Sequence, residues 1–154
     1  MKAWRITQRR LAGAAFSGEG ARLFGGRWNS PGIRVIYGAQ SQSLAVLEVL
    51  VHLDTPALLE KYVLVEVEFA SPFVTDLDRS MLPKNWKSDP VPEAVQAVGD
   101  KWASSASSAV LRVPSVLLPE ESNFLLNPRH PDFRSIVISN PRSFRFDPRL
   151  AKRR

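Results

Sequence analysis

Apolar residues recur along this chain in short blocks whose spacing changes from block to block. From Tyr62 to Phe69 the alternation is regular. Val63, Val65, Val67 and Phe69 point one way and Leu64, Glu66 and Glu68 the other, which predicts a half-exposed strand with its two glutamates on a solvent face. Arg34-Val35-Ile36-Tyr37-Gly38-Ala39 is β-rich with a glycine near its end and predicts a buried strand. Ala3-Trp4-Arg5-Ile6 begins another. Ala109 to Leu118 and Ser135 to Ser139, both apolar and β-branched, predict two more.

The period lengthens in two places. After Ser41 or Ser43, either of which can serve as an N-cap, an apolar run continues to Leu53 before Pro56 stops it. On that helix Leu44, Leu47, Glu48 and Val51 share a face. Pro92 to Ser104 reads as a second, amphipathic helix with Val95, Val98 and Trp102 toward the core. Residues 71–90, rich in Pro, Asp, Ser and Lys, predict an irregular connection, and Pro119 to Pro131 is turn-rich and polar at both ends. The pattern is α+β, with strands outnumbering helices.

Within Leu-Ala-Val-Leu-Glu-Val-Leu-Val at 44–51, Glu48 is the only polar side chain. An ionised carboxylate cannot be buried alone without a cost of several kcal/mol, so Glu48 is paired, protonated or at the edge of a cleft. Between Glu19 and Glu48 the chain has no acid but three arginines, Arg22, Arg27 and Arg34. Arg27 lies in Gly25-Gly26-Arg27-Trp28-Asn29-Ser30-Pro31-Gly32, a loop whose glycines let backbone approach a ligand closely. An arginine in a tight loop and a carboxylate on an apolar helix suggest a site for an anionic substrate. The simpler alternative is a structural Arg27–Glu48 ion pair.

Composition narrows the classes. A chain of 154 residues, 44% hydrophobic and 23% charged, is expected to form one domain. No run of ~18 apolar residues is present to span a membrane, and Met1 to Arg10 has no apolar core of a secretion signal. Cysteine is absent, which excludes thiol chemistry and fits a cytoplasmic location. With His52 and His130 as the only imidazoles and no ligand spacing, no metal site is expected. The formal charge of +6 invites a nucleic-acid reading, but residues 1–10 and 145–154 together supply +8 and leave the body at −2. The excess is expected to lie in solvated ends, including a basic tail from about 147 to 154, and direct binding to DNA is disfavoured.

Gly25-Gly26-Arg27-Trp28-Asn29, Tyr37 ten residues after Arg27, Glu48 in its apolar helix, and Val113-Pro114-Ser115 followed by Asn123 and Asn127-Pro128 together resemble the RES domain. The resemblance runs from Trp4-Arg5 to about Phe146. It implies a fold like that of ADP-ribosyltransferases, mixed β-sheets with flanking helices. It also implies a toxin that cleaves the nicotinamide–ribose bond of NAD+, as substrate rather than bound cofactor, with phosphate or water as acceptor. An Xre-type antitoxin that occludes the site is the implied partner, with any DNA contact made through that antitoxin in a hetero-oligomer.

By the same resemblance Glu48 stabilises the oxocarbenium-like ribose, Arg27 and Arg5 hold the pyrophosphate, Tyr37 packs on nicotinamide or ribose, and Ser115 contacts substrate or phosphate. Trp28 and Asn123 complete the expected NAD+-contacting set. Each has a plainer reading: a basic N-terminal cluster for Arg5, core packing for Trp28 and Tyr37, a turn for Ser115, loop capping for Asn123 and Asn127. His130 reads as structural. No Gly-x-Gly-x-x-Gly follows a strand, so hydride transfer with NAD+ is not supported. Transfer of ADP-ribose to a protein and a non-enzymatic binding module are the competing functions.

Overall fold

A computed structural model describes residues 1–53 and 61–151. The described strands form one mixed sheet in the order β4-β5-β6-β2-β1-β3-β7, with β8 also on β3. In chain order these are β1 (Lys2–Gln8), β2 (Ile36–Ala39), β3 (Tyr62–Glu68), β4 (Val74–Asp76), β5 (Val110–Pro114), β6 (Ser122–Leu126), β7 (Val137–Ile138) and β8 (Arg142–Phe144). All pairings are antiparallel except β4 with β5. The described α-helices are α1 (Glu19–Phe24), α2 (Gln42–Leu50) and α3 (Glu93–Ser105). The expected α+β single-domain class is the one observed.

The seam between β1 and β2 is the feature that matters most for the site. The two strands pair only at Trp4 and Ala39, whereas β1 runs along β3 for seven pairs, from Lys2↔Glu68 to Gln8↔Tyr62. The sheet is therefore two halves joined at one point. Helix α2 lies over the joint, its Leu44 and Ala45 packed with Ile6 and Ala39. Helix α3 covers the other half, with Val95 and Trp102 against Leu111, Val113 and Leu125.

Several sequence expectations change here. Strand β3 is half-exposed only at its end, where Glu68 faces solvent: Tyr62, Val63, Leu64 and Val65 are all buried, because α2 and Phe146 cover one face and Val67 joins a second apolar cluster on the other. Glu66 is largely covered too, ion-paired with Lys2 at 2.6 Å. The stretch expected to be turn-rich contains β6, a central strand. Phe124, Leu125 and Leu126 are buried between β2 and β5, and only three apolar residues between polar ends carry that signal.

Strand β5 stops at Pro114 rather than Leu118. The strand expected over Ser135–Ser139 is present but shorter, Val137–Ile138, because Ser135 ends the 3-10 turn Pro131–Ser135 capped by His130. Helix α2 is capped by Ser41, whose side chain accepts from the Leu44 N–H, and ends at Leu50 in a tightening turn. The stop expected at Pro56 lies outside the described residues, as do residues 152–154 of the basic tail. In α3, Val98 is only half-buried, and Gly99 and Ala103 share the buried face with Val95 and Trp102.

Candidate active site

Register and helix packing bring the carboxylate to its partners. Ala39 on β2 is opposite Asn123 on β6, which in turn is opposite Val113 on β5. Side chains alternate along a strand, so Tyr37, Asn123 and Ser115 share the sheet face under α2 and α3. From α2, Glu48 reaches down to this face. Its Oε1 accepts from Asn123 Nδ2 at 2.7 Å and from Ser115 Oγ at 2.8 Å. Ser115 is fully buried, and its oxygen also accepts from the N–H groups of Leu117 and Leu118 at 3.1 and 3.2 Å. Those amides fix the hydroxyl hydrogen on Glu48.

Glu48 thus solves its burial problem with neutral donors. Among the described residues no arginine pairs with it, so the Arg27–Glu48 ion pair does not form. Hydrogen bonds to a charged group contribute about 1.5–3 kcal/mol each, enough to hold the side chain in one orientation. Both bonds fall on Oε1. Oε2 takes none from the described residues and is the oxygen with acceptor capacity to spare. Asn123 is a strand residue facing the carboxylate rather than a loop cap, while Asn127 does cap, donating to Ala103 O at 2.9 Å and accepting from Arg129 N.

The three arginines divide. Glu19, at the start of α1, takes both Arg22 and Arg34, the latter at 2.9 Å. Arg27 has no carboxylate among the described residues. Its Nη1 donates to the carbonyls of Trp86 and Ser88 at 2.9 and 3.2 Å, and Nε and Nη2 have no partner among the described residues. Its loop is tied to Tyr37, whose hydroxyl donates to Asn29 Oδ1 at 2.6 Å and accepts from Trp28 N at 3.1 Å. A Cβ on Gly26 would lie 2.6 Å from that hydroxyl, so glycine is required for the approach. Burial pushes the Tyr37 phenol well above its ordinary range, and Asp100 reinforces the shift. Tyr37 is a neutral donor at every physiological pH.

Trp28 is 2% exposed and packs with Trp86, Val95 and Trp102, so its indole is a wall of the core rather than a surface for substrate. Arg5 sits where β1 and β2 part. Its Nη1 donates to the Tyr37 carbonyl at 2.8 Å, and its Nε is buried without a partner among the described residues. Burial lowers the Arg5 pKa. Arg5 is tied to Tyr37 through its carbonyl, and the Arg27 loop through its hydroxyl. Gln96, Gly99 and Asp100 of α3, which also touch this loop, were not anticipated. A glycine in mid-helix costs about 1 kcal/mol against alanine and was the available signal.

A depression of about 660 Å³ between Phe16, Val65, Phe133 and Ile138 contains none of these side chains. With no charged residue in its lining, it offers nothing to a pyrophosphate.

Glu48 is thus an oriented carboxylate whose Oε2 is open among the described residues, and Arg27 is a guanidinium on a glycine loop with no carboxylate on it. The RES domain family matches residues 2–147, and the chain belongs to that family. It is 44% identical to "Toxin Res" of Yersinia enterocolitica, over 97% of this chain and 99% of the relative. It is 37% identical to the "Prs ADP-ribosylating toxin" of a Sphingobium species, over 97% of this chain and 96% of that one. The fold is shared with the M. tuberculosis MbcT–MbcA toxin–antitoxin complex. The TM-score is 0.75 at 23% identity, covering 98% of this chain and 86% of that chain.

Proposed function

We propose that this RES-domain chain is the toxin of a toxin–antitoxin pair and consumes NAD+ by breaking the nicotinamide–ribose bond. The observation that carries this reading is the Glu48 carboxylate, held through Oε1 by Ser115 and Asn123 with Oε2 left open. Nicotinamide leaves neutral with the electron pair of the C–N bond, so no acid is needed at the leaving group. The demand is for a negative charge near the anomeric carbon as the ribose becomes oxocarbenium-like. Glu48 Oε2 supplies it. An oxygen of phosphate, or a water that gives up a proton, then forms the new bond to that carbon. The products are nicotinamide and ADP-ribose 1″-phosphate or ADP-ribose.

Arg27 suits the pyrophosphate, because Nε and Nη2 form a bidentate edge while Nη1 is held by the Trp86 and Ser88 carbonyls. Ser115 and Asn123 act here as positioning groups for Glu48, since their polar hydrogens are engaged on its Oε1. The location is the cytosol, where NAD+ is plentiful, and among the described residues no helix is long and apolar enough to cross a membrane.

An antitoxin of Xre type is the proposed partner, seated over the site. Exposed Leu47 and Val51 beside Glu48 on α2, and Leu118 beside Ser115, give such a protein an apolar rim to cover. The name of the Sphingobium relative favours a second reading, in which a protein side chain accepts the ADP-ribosyl group. Incubation with NAD+, with and without millimolar phosphate, tests the set by chromatography. Nicotinamide release that Glu48→Gln abolishes is expected. Release requiring phosphate identifies a phosphorylase, and release without it a glycohydrolase. Intact NAD+ with a folded, antitoxin-free protein would overturn both and leave transfer to a protein.

A further inference from the structure

We infer that α3 is the positioning arm of the Arg27 loop, and that Gln96 acts through the Gly26 and Asn29 carbonyls to set how Arg27 and Tyr37 meet NAD+. The inference rests on the NAD+ reading for its substrate but on independent geometry for its residues. The Gln96 amide donates to Gly26 O at 2.9 Å and to Asn29 O at 3.2 Å. Those carbonyls bracket Arg27 and Trp28, and the Gly26 N–H closes the same four residues onto Asn29 O at 2.9 Å. One side chain thus grips both ends of the turn that carries the arginine.

Two further residues of the same helix face complete the grip. One turn along, a Cβ on Gly99 would stand 1.8 Å from the Trp28 carbonyl oxygen, so the helix backbone itself is seated on the loop. At the next position Asp100 Oδ1 accepts from Ser30 N at 2.9 Å. Positions 96, 99 and 100 follow the i, i+3, i+4 rule and form one stripe on α3.

The loop needs an external hold. Gly25 sits at φ +69°, and paired glycines leave the backbone many alternatives that the fold must suppress. The hold also passes to chemistry. The Trp28 N–H and the Asn29 side chain bind the Tyr37 hydroxyl, and the direction of Arg27 follows from the backbone between the two gripped carbonyls. A loosened turn moves the guanidinium off the pyrophosphate while leaving Glu48, held from β6 and the end of β5, where it is.

The test is a split between kinetic constants in the full chain with saturating phosphate or water as the acceptor. Gln96→Glu has the shape of glutamine but no donor for two carbonyls. It is expected to raise KM for NAD+ roughly tenfold while kcat changes by less than about threefold. Gln96→Lys, which restores a donor, should recover most of the KM. In an Arg27→Ala background Gln96→Glu should add little, because both changes disable one contact. Hydrogen exchange at the amides of Gly26 to Ser30 is read in parallel and should quicken in Gln96→Glu. An unchanged KM, a KM rise undiminished in the Arg27→Ala background, or no rescue by lysine would overturn the inference. If the wild type leaves NAD+ intact, the substrate reading fails on its own, and unchanged exchange in Gln96→Glu would then overturn the positioning role as well.

Discussion

The two charged groups of the proposed site are held in opposite ways. Glu48 is fixed by side chains, Ser115 at the end of β5 and Asn123 on β6, far away in sequence and rigid because both belong to the sheet. Arg27 is held by main chain: the Trp86 and Ser88 carbonyls bind its own guanidinium, and Gln96 and Asp100 bind its loop through peptide groups. A carboxylate that must face a developing positive charge gains from a single orientation with one oxygen free. An arginine that must close on a flexible dianion gains from a loop that can be trimmed without disturbing the sheet. Changes around Glu48 should therefore act on kcat, and changes around Arg27 on KM.

The strongest attack on this division is Glu48→Gln. The amide keeps the size and can still accept from Ser115, so the melting temperature should barely move while kcat falls about 100- to 1,000-fold. Nicotinamide release and a thermal melt on one preparation decide it. Near-normal turnover in a folded sample would end the carboxylate role.

Ser115→Ala comes next. It removes a donor to Glu48 and leaves the Leu117 and Leu118 amides without their acceptor, at a cost of about 1–3 kcal/mol for buried groups left unpaired. A roughly tenfold fall in kcat and a lower denaturation midpoint are expected, with KM little changed. A rise in KM alone would instead put the serine on the substrate.

Gly99→Ala probes the other side. Its methyl would overlap the Trp28 carbonyl, so helix or loop must shift, costing about 1–3 kcal/mol in urea denaturation. Any activity loss should appear mainly in KM. A kcat loss at constant KM would merge the two regions into one unit. The smallest effect is expected for Asn123→Ala, which leaves Ser115 on Glu48 and should lower kcat only a few-fold. Asn123→Asp sets a second carboxylate against Glu48. That raises the pKa of the pair, so activity should be lost at low pH and recover as pH rises. A pH–rate profile against the wild type reads the sign directly.

Legibility in the sequence followed the same division. The apolar run around Glu48 and the glycines around Arg27 were visible because each breaks a local pattern. Ser41 as cap, Val95 and Trp102 as core, and β1 and β2 were readable from period and turn chemistry. Strand β6 was not, since its apolar centre is only three residues long and its polar ends resemble turns. Local pattern also misjudged much of β3, where α2 and Phe146 cover Tyr62 and Leu64 and Lys2 pairs with Glu66, leaving Glu68 alone exposed on the face the glutamates suggested was open. The three arginines looked equivalent in sequence. Tertiary pairing gave two of them to Glu19 and left Arg27 without a carboxylate among the described residues.

Taken alone, the amino-acid order determined which groups were available: one carboxylate in an apolar helix, one arginine in a glycine loop, no thiol, and an α+β succession of elements. These are properties of neighbours within a few residues, where period, propensity and the cost of burying charge act directly. Which partner meets the carboxylate was decided only by folding. Ser115 and Asn123 lie 67 and 75 residues from Glu48, and they reach it because β-sheet register is set by the burial of whole strands. The grip of α3 on the Arg27 loop has the same origin, for Gln96 is 70 residues from Gly26.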